Sequence, residues 1–188
     1  MGRPLFVSQR GRPQSSIGCG IAATMMLLNH HVHREARPKY VDLAKCLWTE
    51  VDPRVKGYSL AEGYGAYLED ILFFFKRQGI AYWSTKPGPR QHRSNTLRRV
   101  LTRLAAASCI LGMGGDERWG PCGHWVVAYG YQGRQKAVRY LDPQYRGNDA
   151  RHDSTLSISD CEQCWDGSAV GIYKKYRRLP AAHFSNAV

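Results

Sequence analysis

Apolar residues recur along the first hundred positions at spacings of three and four, the signature of helices with one buried face. Ile21 to Leu28 opens this pattern, and the first helix is predicted from about Gly18 to His31. A second covers Tyr40 to Val51 with Val41, Leu43, Ala44, Leu47 and Trp48 as its buried stripe, and Asp52-Pro53 ends it. Ser59 followed by Glu62 has the form of a capping box, so a third helix is expected to run through Leu68, Ile71, Leu72 and Phe75 until Gly79 closes it. Lys86 to Arg90 is a Pro/Gly loop, and Asn95 is the expected N-cap of a fourth helix through Leu97, Val100, Leu101 and Leu104. From Ser108 the period changes. Ser108 to Met113, His124 to Tyr131, Ala137 to Leu141 and Ala169 to Tyr173 are short β-branched or aromatic runs between glycine-rich breaks, which predicts strands of one sheet. Helices first and strands second imply an α+β fold, with an N-terminal helical half packed on a C-terminal antiparallel sheet.

This order brings a particular chemistry into view. Gln14-Ser15-Ser16-Ile17-Gly18-Cys19-Gly20 places a thiol where a glycine-rich turn becomes a helix. The free amides and dipole of a helix start favour negative charge, hence a thiolate, and Gln14 is within reach as a donor to an oxyanion. Cysteine catalysis also needs an imidazole and a group to orient it. His124 opens the apolar strand Trp125-Val126-Val127, an unusual place for an imidazole, and Asp142 ends the next strand in Leu141-Asp142-Pro143. If these strands form a hairpin, the start of one lies beside the end of the other. Cys19, His124, Asp142 and Gln14 are therefore the candidate catalytic residues. Trp119, Trp125 and Gly123 are the candidate substrate-binding residues, with Trp165 a further aromatic for the cleft wall.

The order Gln14…Cys19-Gly20, a Leu-containing helix, Gly57-Tyr58-Ser59-Leu60, the break at Gly79-Ile80, a small-residue strand, Gly123-His124-Trp125-Val126-Val127 and Asp142-Pro143 resembles the papain-like cysteine peptidases. Among these it is most similar to the bacterial family that cleaves double-glycine leader peptides, and to the stand-alone relatives of that family. The similarity spans residues 9 to 175. It implies a papain-like fold and thiol hydrolysis of an amide bond, with Cys19 as nucleophile, His124 as base, Asp142 as its orienter and Gln14 as oxyanion donor. Two positions depart from the pattern: four residues separate Gln14 from Cys19 where the family has five, and Gly18 stands where a polar residue commonly precedes the nucleophile. Transporter segments that accompany leader processing are absent from the 188 residues, so a free-standing enzyme with another protein or peptide substrate is expected.

Composition sets outer bounds. A chain of 188 residues with 43% hydrophobic content suits one domain with a sizeable core. The expected organisation is a mobile basic arm over residues 1–13, a catalytic domain over 14–178 and a tail over 179–188. Twenty-seven Lys and Arg against 15 Asp and Glu leave a net charge of +12, which attracts an anionic surface or polymer, or else serves solubility. Lys86, Arg90, Arg93, Arg98, Arg99 and Arg103 form a basic face on the fourth helix, and Lys174 to Arg178 reads as a basic strand edge.

Six irregularly spaced cysteines do not make a disulfide scaffold, so a reducing compartment is the simpler expectation. Cys161-Glu162-Gln163-Cys164 has the spacing of half a zinc site without an evident other half, and His30, His31 and His33 sit where a helix end favours cations. Neither metal nor organic cofactor is implied. The start lacks an apolar signal core, and the run Ile71 to Phe75 is too short to span a bilayer. Synthesis in the cytoplasm is expected, and delivery by a signal-independent route would fit a bacterial effector or toxin with an immunity or inhibitor partner. Two alternatives stand beside the peptidase: a glutamine deamidase, acyltransferase or peptidoglycan amidase using the same residues, and a non-catalytic basic nucleic-acid-binding module. The module lacks the interleaved aromatics such binding uses, so no stable nucleic-acid complex is expected.

Overall fold

The computed structural model describes residues 3–11, 18–49, 66–86, 90–114, 117–119 and 123–177. Its helices are α1 (Cys19–His31), α2 (Tyr40–Thr49), α3 (Leu68–Arg77), α4 (Arg90–Leu104) and α5 (Ile158–Cys164). Its strands are β1 (Tyr82–Thr85), β2 (Cys109–Met113), β3 (His124–Gln132), β4 (Ala137–Leu141), β5 (Asp153–Ser157) and β6 (Trp165–Ile172). The strands form one sheet in the order β1-β6-β2-β3-β4-β5, and every neighbouring pair is antiparallel. The architecture is the expected α+β class.

The layering is richer than a helical half on a sheet. On one face α1, α2 and α3 bury Ile21, Leu27, Leu43, Ile71 and Phe75 with Ile110, Val127, Leu141 and Val170 of the sheet. On the other face Leu97, Val100, Leu101 and Leu104 of α4, with Cys161 and Cys164 of α5, cover Leu111, Val126, Val138 and Ala169. A sheet covered on both sides needs apolar residues in both alternations, which explains the unbroken apolar runs of β2 and the first half of β3. Each strand turns one side chain to each layer, so Val126 and Val127 belong to different cores.

Local signals explain where elements begin and end. Tyr40, Leu43, Ala44 and Leu47 form the buried stripe of α2, while Val41, expected inside, is 50% exposed because it lies one position off the i, i+3, i+4, i+7 series. Around the start of α3, the Asp70 carboxylate accepts from the Tyr67 amide at 2.8 Å. Gly79, with φ of 64°, supplies the left-handed residue that ends the α3 segment. The Ser59–Glu62 capping box lies outside the described residues. The fourth helix begins at Arg90 rather than at Asn95, since Arg90 to Asn95 contains no proline or glycine to interrupt it. Trp165 is fully buried, donating from Nε1 to Ser168 O at 2.7 Å, and so is core rather than cleft wall. Lys174 to Arg177 is not a strand edge: β6 pairs on both sides, and the chain beyond it leaves the sheet to bridge Val32 through Tyr176.

Among the described residues no helix is long and apolar enough to cross a membrane. Cys19, Cys109, Cys161 and Cys164 are not in disulfide bonds, and among the described residues no group of three or more His, Cys, Asp or Glu is arranged to hold a metal ion.

The described part of the basic N-terminal arm is held rather than loose. Gln9 donates its amide to Pro143 O at 2.9 Å, Ser8 Oγ donates to Tyr145 O at 2.7 Å, and Arg10 Nε donates to Gln144 O at 2.8 Å. Arg3 pairs with Asp153 at 2.7 Å, and Val7 is buried in the core. This strap runs along the turn that follows β4. A chain starting at Gly11 is expected to lose about 3 kcal/mol of stability, since three such bonds disappear together. Urea denaturation of the two chains measures the difference, and an unchanged midpoint would show the strap to be ornamental.

Candidate active site

The amide-rich start of α1 carries Cys19 as its first residue, after Gly18 as N-cap. Gly18 offers no side chain to the first-turn amides, and its carbonyl takes the Ala22 amide at 3.0 Å. The remaining early amides have no partner inside the helix and point, with the positive end of its dipole, toward the region of the sulfur. Cys19 is half-buried against the α1–α3 core. The next residue explains how closely the neighbouring chain approaches: a Cβ on Gly20 would lie 2.5 Å from Ala66 Cβ and 3.2 Å from the Trp125 ring.

His124 and Asp142 meet through the hairpin of β3 and β4. Val127 pairs with Leu141, so Asp142 extends β4 toward Val126, and His124 is its diagonal neighbour two residues on. His124 Nε2 and Asp142 Oδ1 are 2.6 Å apart, with both side chains buried. The same Asp142 oxygen accepts the Gln144 amide at 2.9 Å, and the Asp142 amide donates to His152 O at 2.9 Å. The carboxylate is thus anchored by its own turn, whose carbonyls are in turn held by the N-terminal strap. With Nε2 engaged by Asp142, Nδ1 is the other ring nitrogen, and Cys19 lies near enough to the imidazole to act on its proton affinity.

Electrostatics at the imidazole are a contest. Burial alone lowers its proton affinity, but hydrogen bonds to Asp142 and Cys19, together with their negative charge, outweigh this and raise the His124 pKa to about 9. The site therefore favours the protonated ring. Two deeper thiols are held protonated: burial, reinforced by Cys161, pushes Cys109 up, and burial with Cys164, Glu162 and Asp160 nearby pushes Cys161 up to about 12. Those two are packing residues.

The expected aromatic wall takes another form. Trp119 is 3% exposed and stacks on the His124 ring, centroids 5.8 Å apart, with its edge against Tyr140. Trp125 is 9% exposed and donates from Nε1 to Ala66 O at 2.6 Å. One covers the imidazole and the other ties β3 to the segment ahead of α3, so neither offers a free face as a cleft wall. Gly123 is exposed immediately before His124, with φ of 75°, a conformation that favours glycine. Gln14 lies outside the described residues, as does Cys122. The covering role of Trp119 was not legible in the sequence, because the pairing of an indole from the β2–β3 connection with a strand-end imidazole is tertiary.

The structure brings His124 and Asp142 together with Cys19 nearby, the cysteine packed on one layer and the Trp119 indole, from the other, stacked on the imidazole. Such a grouping can hold a thiolate, carry a proton and keep the ring oriented.

Solved structures share this frame. The peptidase domain of Streptococcus ComA, a bi-functional ABC transporter of a quorum sensing pathway, matches over 93% of this chain and 100% of its own, with a TM-score of 0.59 and 17% identity. A double glycine motif protease from an AMS/PCAT transporter, solved in complex with the leader peptide, matches over 91% and 93%, with a TM-score of 0.54 and 16% identity. A cysteine protease of Carica candamarcensis matches over 93% and 95%, with a TM-score of 0.59 and 14% identity. No protein-family model and no curated protein matches the sequence. At these identities the likeness is one of fold, and the fold is papain-like.

Two outcomes are expected. Near neutral pH, iodoacetamide should label Cys19 faster than Cys109, Cys161 and Cys164, and His124→Ala should slow that labelling, as read by peptide mass spectrometry; equal rates at all four would contradict the site. Gly20→Ala should destabilise the chain by about 1–3 kcal/mol, because the new methyl overlaps Ala66, and a thermal melt equal to that of the parent would show the contact to be slack.

Proposed function

We propose that the chain is a cysteine peptidase in which Cys19 is the nucleophile, His124 the proton carrier and Asp142 its orienter. The observation that carries this reading is the buried 2.6 Å bond between the His124 ring and Asp142, with the Cys19 thiol, at a helix start, near enough to act on that ring. The peptidase neighbours, one of them bound to a leader peptide, support a peptide as substrate.

The reaction follows from these positions. The Cys19 sulfur, as thiolate, attacks the carbonyl carbon of the scissile bond, and the carbonyl π electrons move to oxygen. The Cys19 amide, at the positive end of α1, faces the developing oxyanion, with Gln14 as the second donor on sequence grounds. Imidazolium His124 passes its proton to the departing amine as the C–N bond breaks, leaving a thioester. Neutral His124 then takes a proton from water, the resulting hydroxide displaces the sulfur, and the acid product leaves with thiolate and imidazolium restored. Asp142 keeps Nε2 engaged so that Nδ1 addresses the sulfur throughout. Exposed Gly123, beside the imidazole, lines the approach of the substrate backbone.

The deamidase, acyltransferase and amidase alternatives use the same sulfur and imidazole and differ in the group transferred. No observation favours them over peptide cleavage.

Hydrolysis of a peptide library, read by product mass, tests the proposal. Cys19→Ala should lower kcat/KM by at least about a thousandfold, and retention of cleavage by that variant would refute it. The pH profile carries a second signature. The competent form needs a protonated His124, so kcat/KM should decline as pH rises through about 9. Asp142→Asn removes a group that raises that value, and should move this alkaline limb to lower pH.

A further inference from the structure

At the far end of α1 from Cys19, two adjoining cavities of about 560 and 580 Å³ share His30, Arg37 and Lys175 in their walls. Arg3 also lines the first, and Arg34 and Arg177 line the second. Five cations thus converge from the N-terminal strap, from the segment after α1 and from the chain beyond β6, and no carboxylate is among the described residues lining either cavity.

The convergence is built by main-chain bonds. Tyr176 donates its amide to His31 O at 2.7 Å, and His33 donates to Tyr176 O at 2.9 Å, which clamps residues 174–177 against the end of α1. A helix C-terminus ordinarily repels anions. Here its carbonyls are occupied: Leu28 O by the Val32 amide, His31 O by Tyr176, and Val32 O by Arg37 Nε at 3.1 Å. Arg3 is paired with Asp153 at 2.7 Å, and Glu35 is solvent-exposed beside His33. Arg34, Lys175 and Arg177 have no ion-pair partner among the described residues.

A second observation points to a ligand. His31 is 5% exposed and its Nδ1–H donates to Lys174 O at 3.3 Å, while Nε2 is buried with no partner among the described residues although the ring lines the second cavity. Burial and the neighbouring His30 hold this ring neutral, its pKa lowered to about 4, and the charge of an anion seated between the cations opposes that shift and favours the form in which Nε2 donates to it. Unneutralised like charges around a concavity of this volume favour a compact, multiply charged anion. A nucleic-acid strand would need exposed aromatic faces along a groove, and the aromatic residues lining these cavities, Phe6 and Tyr176, are half-buried and buried.

We propose that this cleft binds a compact polyphosphorylated small molecule, independently of the chemistry at Cys19. Isothermal titration of the intact chain with inorganic tripolyphosphate, at about 0.15 M salt, tests it. One saturable site is expected, with tripolyphosphate bound at least about tenfold more tightly than orthophosphate. Lys175→Gln and Arg37→Gln should each weaken it by at least about tenfold, whereas Arg98→Gln with Arg99→Gln on exposed α4 should leave it within about twofold. Lys175→Gln carries the result if Arg37→Gln fails to fold, because the Lys175 side chain is exposed and an unchanged melt confirms its fold. Absence of a saturable site, or equal weakening by the α4 pair, would overturn the proposal. Tighter binding of a single-stranded oligonucleotide or of anionic vesicles at the same residues would overturn it as well.

Discussion

The bond between His124 Nε2 and Asp142 Oδ1 is the constraint around which the rest is arranged. Burying an imidazolium is costly, and the burial of this one would by itself leave it neutral. The carboxylate, together with Cys19, reverses that outcome only while it is held at bonding distance, and it is held by the end of β4, by the Gln144 amide of its own turn, and through that turn by the strap of residues 3–10. Trp119 keeps water off the pair by stacking on the ring. The sulfur then needs only to be delivered to the remaining nitrogen, which α1 does by starting at Cys19.

That delivery depends on two layers meeting at the start of β3, an interior strand of the sheet. The α1–α3 core fixes the sulfur, and the α4–α5 core fixes the indole over the imidazole. Gly20 allows the Ala66 segment to close against α1, and the Trp125 indole fastens that segment to β3. Small residues and a single indole hydrogen bond therefore set the distance between layers, in the region where a substrate carbonyl would have to reach the sulfur.

Much of this was legible from residue pattern. Cys19 stood out because a glycine turn ran into an apolar helix, and His124 and Asp142 because one opened and the other closed neighbouring apolar runs. The α1 boundaries and the β4 span followed from the same periodicity. β1 and β5 escaped notice because Tyr82-Trp83-Ser84-Thr85 and Asp153-Ser154-Thr155-Leu156-Ser157 are short, half-polar edge strands whose pairing is decided by the sheet. α5 is only seven residues long and offered no period to read. The second helical layer was missed because α4 precedes most strands in sequence, and sequence order does not say which face a helix covers. Neither could the cationic cleft be read, since Arg3, Arg37 and Lys175 are separated by most of the chain and meet only through the Tyr176 clamp.

The central claim is that sulfur and imidazole act as one reacting unit. Intact-mass spectrometry after rapid mixing with an activated peptide ester tests it most directly, because it captures the covalent species itself. The account predicts a single acyl adduct on Cys19, released by hydroxylamine, absent in Cys19→Ala and slow to form in His124→Ala. No adduct, or one that forms as fast without His124, would contradict it.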